Sequence, residues 1–413
     1  MIIGMDKQWG CIMNRDKLCL LLLLIVVPIG ICAAAEKRPP PGFYPDLGLE
    51  VVFDDNIRRS EDNEVEDWYT RIRPKFDWIW AFGRHELDVS AEIDSWHYAE
   101  ESNEDAFDRY LLAELDLDIS HLIDIDLATG YSRSHTLRGH DPSAATIDPN
   151  LWETMGASGE FIYGRRSNQM QLSLLLDHQE IEFLNNDLEG RDHDQDTIQG
   201  TIFYNWGPKT QLLVKLSRVE FDYDREYAPI APGGAELDST EIGFHVGVNW
   251  EATYKTSGEF SIGKTKKDMD DSRLKSYSGL TTSLNLKWEP KSYSTVDVLL
   301  ERSSQETKQA STSHVIRNQF SVDWDHELTR RLTMKSGITL ENDKWSQIRE
   351  DDLFDLYLGL EYSLYRWMDV GMRYTFQNRD SNIEGLDYDS NVIMFTVQAF
   401  RSKAGRPKRT MGP

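Results

Sequence analysis

Six large apolar residues on alternate positions near the C-terminal end constrain this chain more than any other feature: Phe354, Leu356, Leu358, Leu360, Tyr362 and Leu364. Asp355, Tyr357, Gly359, Glu361 and Ser363 fill the gaps. After a break at Tyr365–Trp367 the alternation restarts with Met368, Val370, Met372, Tyr374 and Phe376, interleaved with Asp369, Gly371, Arg373, Thr375 and Gln377. A polar stretch, Asn378–Asp387, leads to a third segment that ends at Phe400. A period of two over about ten residues describes a β-strand with one apolar and one polar face. The polar face carries charges at regular intervals, which a sandwich core tolerates only when each is paired. Lipid on one side and water on the other meets the constraint more simply. The expected fold class is all-β: a transmembrane antiparallel β-barrel of about 18 strands, of the outer-membrane type.

The N-terminus supports that environment. Arg15 and Lys17 precede an apolar run, Leu18–Ile31, and Ala33-Ala34-Ala35 follows. These are the charged, apolar and small-residue parts of a secretory signal peptide, so residues 1–35 are read as one, with cleavage before Glu36. Met13 offers an alternative start. The run of about fourteen residues is too short to cross a bilayer as a helix. Ile31, just before Cys32, is too bulky for the usual lipid-attachment box. All three cysteines (Cys11, Cys19 and Cys32) lie in this leader, so the expected mature chain has none. Without disulfides an exported chain needs another source of stability, and a closed sheet supplies it. Only 39% of residues are hydrophobic, as expected when strands give every second position to a watery lumen. The net charge of −25 argues against nucleic acid as a partner.

Glu36–Pro45, with Pro39-Pro40-Pro41, reads as a short periplasmic linker, too short to plug a wide barrel. Residues 46–400 form the expected barrel, with alternating segments recurring from Leu47–Phe53 through Leu332–Leu340. The connections between them alternate in length. Ala81–Arg84, Ser120–Leu122, Gly164–Ser167, Gly207–Thr210, Glu289–Ser292 and Tyr365–Arg366 are short. Asp54–Asp67, Tyr98–Asp108, Ser134–Asn150, Ile181–Asp196, Asp222–Thr240 and Lys264–Ser276 are long. Short periplasmic turns and longer outside loops are the outer-membrane pattern, with both termini periplasmic and an even strand count. Trp78, Trp80, Trp206, Trp250, Trp288, Trp324 and Trp367 sit at or beside short turns and are read as an interfacial aromatic girdle.

The long loops are acidic: Asp54, Asp55, Glu61, Asp62, Glu64, Glu66 and Asp67 mark the first, and Asp187, Glu189, Asp192, Asp194 and Asp196 a later one. A solvated outer rim explains them; divalent-cation bridging to lipopolysaccharide is the functional alternative. Asp192-His193-Asp194 lacks paired ligand spacing, so neither metal nor cofactor is expected. The basic tail, Arg401–Pro413, is expected to be disordered in the periplasm.

Two hairpins give the expected lumen. A turn at Ala81–Arg84 sets Phe76 opposite Val89 and Ile72 opposite Ile93 on the lipid side, and Arg73 opposite Glu92 and Arg71 opposite Asp94 inside. Lys75 and Arg373 are further lumenal cations. A turn at Ser120–Leu122 keeps Leu115, Leu117, Ile119, Ile123, Ile125 and Leu127 outward. It places Asp118 opposite Asp124 and Asp116 opposite Asp126 inside, with Glu114 above. Like charges facing each other oppose sheet stability, although lumenal water screens them over about 8 Å. The stripe is therefore either a solvated wall or a cation-attracting surface whose carboxylates also accept bonds from sugar hydroxyls.

Two stretches carry a resemblance. One is Val52-Phe53-Asp54-Asp55-Asn56-Ile57. The other is the final hairpin, with Gly359-Leu360-Glu361-Tyr362, Tyr374, Arg379-Asp380-Ser381-Asn382 and Tyr388-Asp389-Ser390-Asn391. In these the chain resembles putative β-barrel porin family 2, outer-membrane barrels associated with exopolysaccharide export. The resemblance implies a polysaccharide channel that works with periplasmic polysaccharide-export proteins. It also makes Phe400 look like the aromatic signal of the barrel-assembly machinery, set internally by the tail.

The leading expectation is a passive channel for a secreted polysaccharide, set among outer-membrane lipids and lipopolysaccharide. Sixteen to eighteen strands leave an aqueous lumen, and no loop much exceeds about twenty residues, so none is an obvious folded-in constriction. Nothing resembles a nucleotide-binding loop. The alternative is a general diffusion porin for small solutes. An enzyme is not expected, because Ser120-His121 and Ser134-His135 are strand neighbours that point to opposite faces.

Overall fold

The computed structural model describes residues 40–136, 138, 148–224, 237–253, 255–306, 314–345 and 349–400. The expected leader and basic tail lie outside the described residues.

The strands are β1 (Gly42–Asp54), β2 (Asp67–Phe82), β3 (His85–Tyr98), β4 (Ala106–Ser120), β5 (Ile123–His135) and β6 (Leu151–Tyr163). Then come β7 (Met170–Phe183), β8 (His193–Gly207), β9 (Thr210–Tyr223), β10 (Ser239–Thr253), β11 (Thr256–Met269) and β12 (Tyr277–Lys291). The series ends with β13 (Ser294–Gln305), β14 (Val315–Glu327), β15 (Leu332–Trp345), β16 (Arg349–Tyr365), β17 (Met368–Ser381) and β18 (Tyr388–Phe400). They form one 18-stranded sheet in which each strand pairs antiparallel with its chain neighbours. β1 pairs with β18 from Asp46↔Phe400 to Asp54↔Val392, and this seam closes the barrel. A closed sheet leaves no edge with unpaired N–H and C=O groups, the condition for strands to cross lipid.

The faces follow the alternation. On β7, Met170, Leu172, Leu174 and Leu176 stand exposed on the outside, while Gln171 and Ser173 between them are buried inside. Leu212, Val214 and Leu216 on β9 and Leu356, Leu358 and Leu360 on β16 repeat the pattern. Exposed apolar side chains all round the wall would aggregate in water, whereas lipid accepts them.

Several strands run past the ends their apolar alternation suggests. The extra residues lie at the long-loop end, where outward positions turn charged: His178, Glu180 and Glu182 on β7, Asp194 and Asp196 on β8, Glu220 and Asp222 on β9. Pairing continues through them, with Glu180↔Asp194 and Asp194↔Asp222. Backbone hydrogen bonds hold a ladder whatever the side chains, so the loss of outward apolar residues marks the edge of lipid rather than the end of the strand. Likewise β11 reaches Met269, β17 reaches Ser381, and the β15–β16 connection shrinks to residues 346–348.

Two boundaries differ from the sequence reading. β1 opens at Gly42, and Gly42–Pro45, read as linker, already pair with Ile79–Phe76 of β2. The first hairpin is displaced by two residues. Its turn is the two-residue Gly83-Arg84, closed by Phe82↔His85, and Gly83 takes φ +69°, which suits glycine at the first central position of such a turn. Phe76 therefore faces Ala91 rather than Val89, and Ile72 faces Ser95 rather than Ile93. A shift of two preserves which face each residue occupies, so the inside and outside remain as expected.

Candidate functional site

The lumen divides into two ends. At the long-loop end its side chains pack against one another and against loop residues. Glu50 of β1, Arg71 and Arg73 of β2 and Asp94 of β3 are all buried there. Arg71 Nε donates to both Asp94 oxygens at 2.8 and 2.9 Å, and Arg71 Nη1 lies 3.5 Å from Glu50. Arg73 donates to Glu50. The expected Arg71–Asp94 pair thus exists, on a diagonal, because Arg71 directly opposes Trp96. The expected Arg73–Glu92 pair does not. The register brings Lys75 opposite Glu92 instead, and Arg73, aligned with Gly48 of β1, turns to Glu50. The Arg71 guanidinium also lies 4.1 Å from the Trp96 ring centroid.

The same layer continues round the barrel. His135 Nδ1 lies 2.9 Å from Asp108 Oδ2, and the His193 ring stacks on Tyr223 at 4.7 Å. Loops contribute too. Leu188 packs with Trp152, Ile181 and Phe183, and Leu237 packs with Tyr223. Asn56 donates to the carbonyls of Ser60 and Asp389, both at 2.9 Å. Trp152, Leu237 and Asp108 are at most 1% exposed. Two supposed rim carboxylates belong to this layer: Asp54 binds Arg59 at 2.8 Å, and Asp67 accepts the backbone N–H of Glu101 at 2.9 Å. The outward rim stays acidic, and the neighbouring Asp238, with some burial and Asp194, Asp224 and Asp196, raises the Asp222 carboxyl above its usual range.

The short-turn end holds the acidic stripe. Asp118↔Asp124 and Asp116↔Asp126 face each other as expected, and Glu114 lies opposite Ala128. The register extends the stripe beyond the sequence reading: Glu86 faces Asp116 and Asp126 faces Glu160. Four carboxylates, Glu86, Asp116, Asp126 and Glu160, therefore lie in one row across β3–β6. Asp118 and Asp124 form the next rung toward the turns, and Asp88, opposite Glu114, lies on the other side of the row. Glu92 and Asp94 sit higher on β3, Asp94 within the buried network.

The stripe is not left to water alone. Arg165, in the β6–β7 turn, sends Nη1 to Asp124 at 2.5 Å and Nη2 to Asp118 at 3.1 Å. It also donates to the carbonyls of His121 and Ser120 at 3.0 and 2.8 Å. Arg84 Nη1 lies 3.5 Å from Asp118. The next residue, Arg166, points the other way, to Asn249 Oδ1 at 3.2 Å and Glu251 Oε1 at 2.7 Å on β10. Asn205 of β8 donates to the carbonyls of Arg166 and Asn168 and holds the turn down. Sequence reasoning placed this turn but missed its role. Two consecutive arginines in a short turn between acidic strands were the available signal.

Arg373 is packed over Tyr357 at 4.7 Å, and the Tyr357 hydroxyl donates to Asp323 at 2.7 Å. All seven tryptophans of the expected girdle lie near short turns on outward positions; Trp206 is the most exposed, at 74%. Phe400 ends β18, its N–H bonded to the Trp367 carbonyl at 2.9 Å. Ser134 Oγ donates to Tyr110 while His135 binds Asp108, so the two side chains take separate partners. Among the described residues, no group of His, Cys, Asp or Glu is arranged to hold a metal ion.

Solved structures share the fold at low identity. OccK2 (OpdF) of Pseudomonas aeruginosa aligns with TM-score 0.51 and 10% identity, covering 89% of this chain and 100% of that one. OpdK of the same organism, an outer membrane protein, aligns with TM-score 0.50 and 10% identity, covering 87% and 99%. The sequence has no significant match among curated proteins. The family comparison is decisive: over residues 42–401 the chain matches the family described as Putative beta-barrel porin 2, so this outer-membrane barrel belongs to that family.

Proposed function

We propose that this porin is a passive diffusion channel for small solutes, the alternative of the sequence reading, rather than an export conduit for polysaccharide. The observation that carries this reading is the packing of loop residues onto inward side chains at the long-loop end. The polymer reading rested on a lumen free of folded-in loops. Here Leu188, Leu237 and Asn56 come from loops and are buried against the wall, beside Trp152, Asp108 and Asp94. Leu188 and Leu237 lie over inward side chains of the wall, and chain folded over the outer end favours a narrowed mouth that single solutes pass more readily than a chain of sugars. OccK2, of like fold, has been solved in complex with glucuronate, a solute of single-sugar size. Chemistry on the solute has no part in this reading.

Swelling of proteoliposomes in sugars of graded size tests it. Entry of monosaccharides with exclusion of larger oligosaccharides is expected, and deletion of the gene should leave secreted polysaccharide unchanged. Loss of secretion on deletion, with no sugar entry into the liposomes, would overturn the proposal in favour of export.

A further inference from the structure

Among the described inward groups, one oxygen of each of two facing carboxylates lacks a hydrogen-bond partner. Asp126 of β5 and Glu160 of β6 are direct cross-strand partners. Glu160 is 9% exposed. Its one oxygen accepts from the Ser173 hydroxyl, but Oε2 is buried and has no hydrogen-bond partner among the described residues; nor does Asp126 Oδ2. A buried carboxylate oxygen without a donor is costly. Asp126 as a whole is only half-buried, so a small side-chain movement on the lumen side is enough to bring its free oxygen to a solute.

The neighbouring rung shows which ligand such a pair accepts. Asp118 and Asp124 face each other in the same way, and the Arg165 guanidinium lies between them, bonded to both. The planar fork of a guanidinium, or the three N–H bonds of an ammonium, supplies the donors that two facing carboxylates need. A metal ion fits less well, since the described residues offer no metal-binding group of three ligands.

We propose that the Asp126–Glu160 rung is a transit site for small organic cations bearing a guanidinium or primary ammonium group, with Arg165 as the tethered analogue of that ligand one rung away. The proposal rests on the small-solute reading and names the substrate class it favours. A cation leaving the packed outer layer would meet the row on β3–β6 before the short-turn mouth.

The test is planar-bilayer recording of the purified channel with guanidinium chloride, and potassium chloride as reference. The wild type should prefer guanidinium over potassium, and guanidinium current should saturate with concentration. Asp126→Asn with Glu160→Gln should weaken the apparent affinity on the order of tenfold, the scale of a lost charge-assisted hydrogen bond. Gln at 160 can still accept from Ser173, and the half-buried Asp126→Asn alone carries the test if the double variant fails to fold. Arg165→Gln, which removes the guanidinium between Asp118 and Asp124, should raise guanidinium preference. Glu182→Gln, on the outer surface of β7, serves as the control. Unchanged preference and saturation in a well-folded double variant would overturn the site and leave small-solute diffusion standing. A wild type without monosaccharide permeation would instead remove the reading on which it rests.

Discussion

Replacing Glu50 with glutamine should destabilise the barrel more than removal of any single surface charge. Glu50 of β1 contacts two arginines of β2, Arg71 at 3.5 Å and Arg73 more closely, and all three side chains are buried. At an effective dielectric of about 20, unit charges 3.5 Å apart attract by roughly 5 kcal/mol before desolvation is counted. Removing one partner of a buried pair costs about 3–5 kcal/mol, because the remaining charge stays buried. An exposed pair is worth about 1 kcal/mol or less. Arg71 keeps its bonds to Asp94 in the variant, which puts the expected loss near the lower end, about 3 kcal/mol. β1 also carries the closing seam with β18, so the loss falls where the sheet must shut. Urea titration of the barrel in lipid vesicles, followed by tryptophan fluorescence and heat-modifiable gel mobility, measures it. The double variant Glu50→Gln with Arg73→Gln should recover part of the loss, with a coupling of about 1–3 kcal/mol. A loss below about 1 kcal/mol for Glu50→Gln would mean that the network is as wet as a surface pair.

Neighbouring positions on β9 should respond oppositely: Leu216→Arg, on the lipid face two residues from the outward Arg218, is expected to cost about 1–2 kcal/mol, between the midplane and interfacial values, while Ser217→Arg, facing the lumen, should fold and change conductance. Asn205→Ala removes the donor that holds the β6–β7 turn and should cost about 1 kcal/mol, with faster proteolysis after Arg165 or Arg166 as the readout. An epitope between Asp224 and Asp238 should be reached by antibody on intact cells, and one placed after Phe400 only once the outer membrane is opened; surface labelling of the latter contradicts the even strand count. His314, just before β14, has its pKa pushed down to about 4 by burial and by Lys267 and Lys275. The unfolded chain therefore binds the extra proton first, and stability should decline as pH falls from about 6.5 to 4, a decline that His314→Gln should reduce.

Much of this molecule is legible in the order of its residues. Strand number, the inner and outer faces, the alternation of short and long connections and the facing Asp116–Asp126 and Asp118–Asp124 pairs all follow from a side-chain period of two, which needs only neighbouring residues to be read. Tertiary structure decided what depends on exact register and on contacts across several strands. Gly83 at positive φ moved the first hairpin by two residues, which gave Arg73 to Glu50 and left Lys75 facing Glu92. Register between β5 and β6 brought Glu160 to Asp126, and the bend of the β6–β7 turn sent Arg165 back to β4–β5 and Arg166 forward to β10. Burial of loop residues against inward side chains at the long-loop end was equally invisible, because a one-dimensional pattern records which face a residue takes but not whether another segment lies over it. Periodicity fixes the wall of a barrel; the contents of its lumen depend on how eighteen strands bring distant charges to the same height.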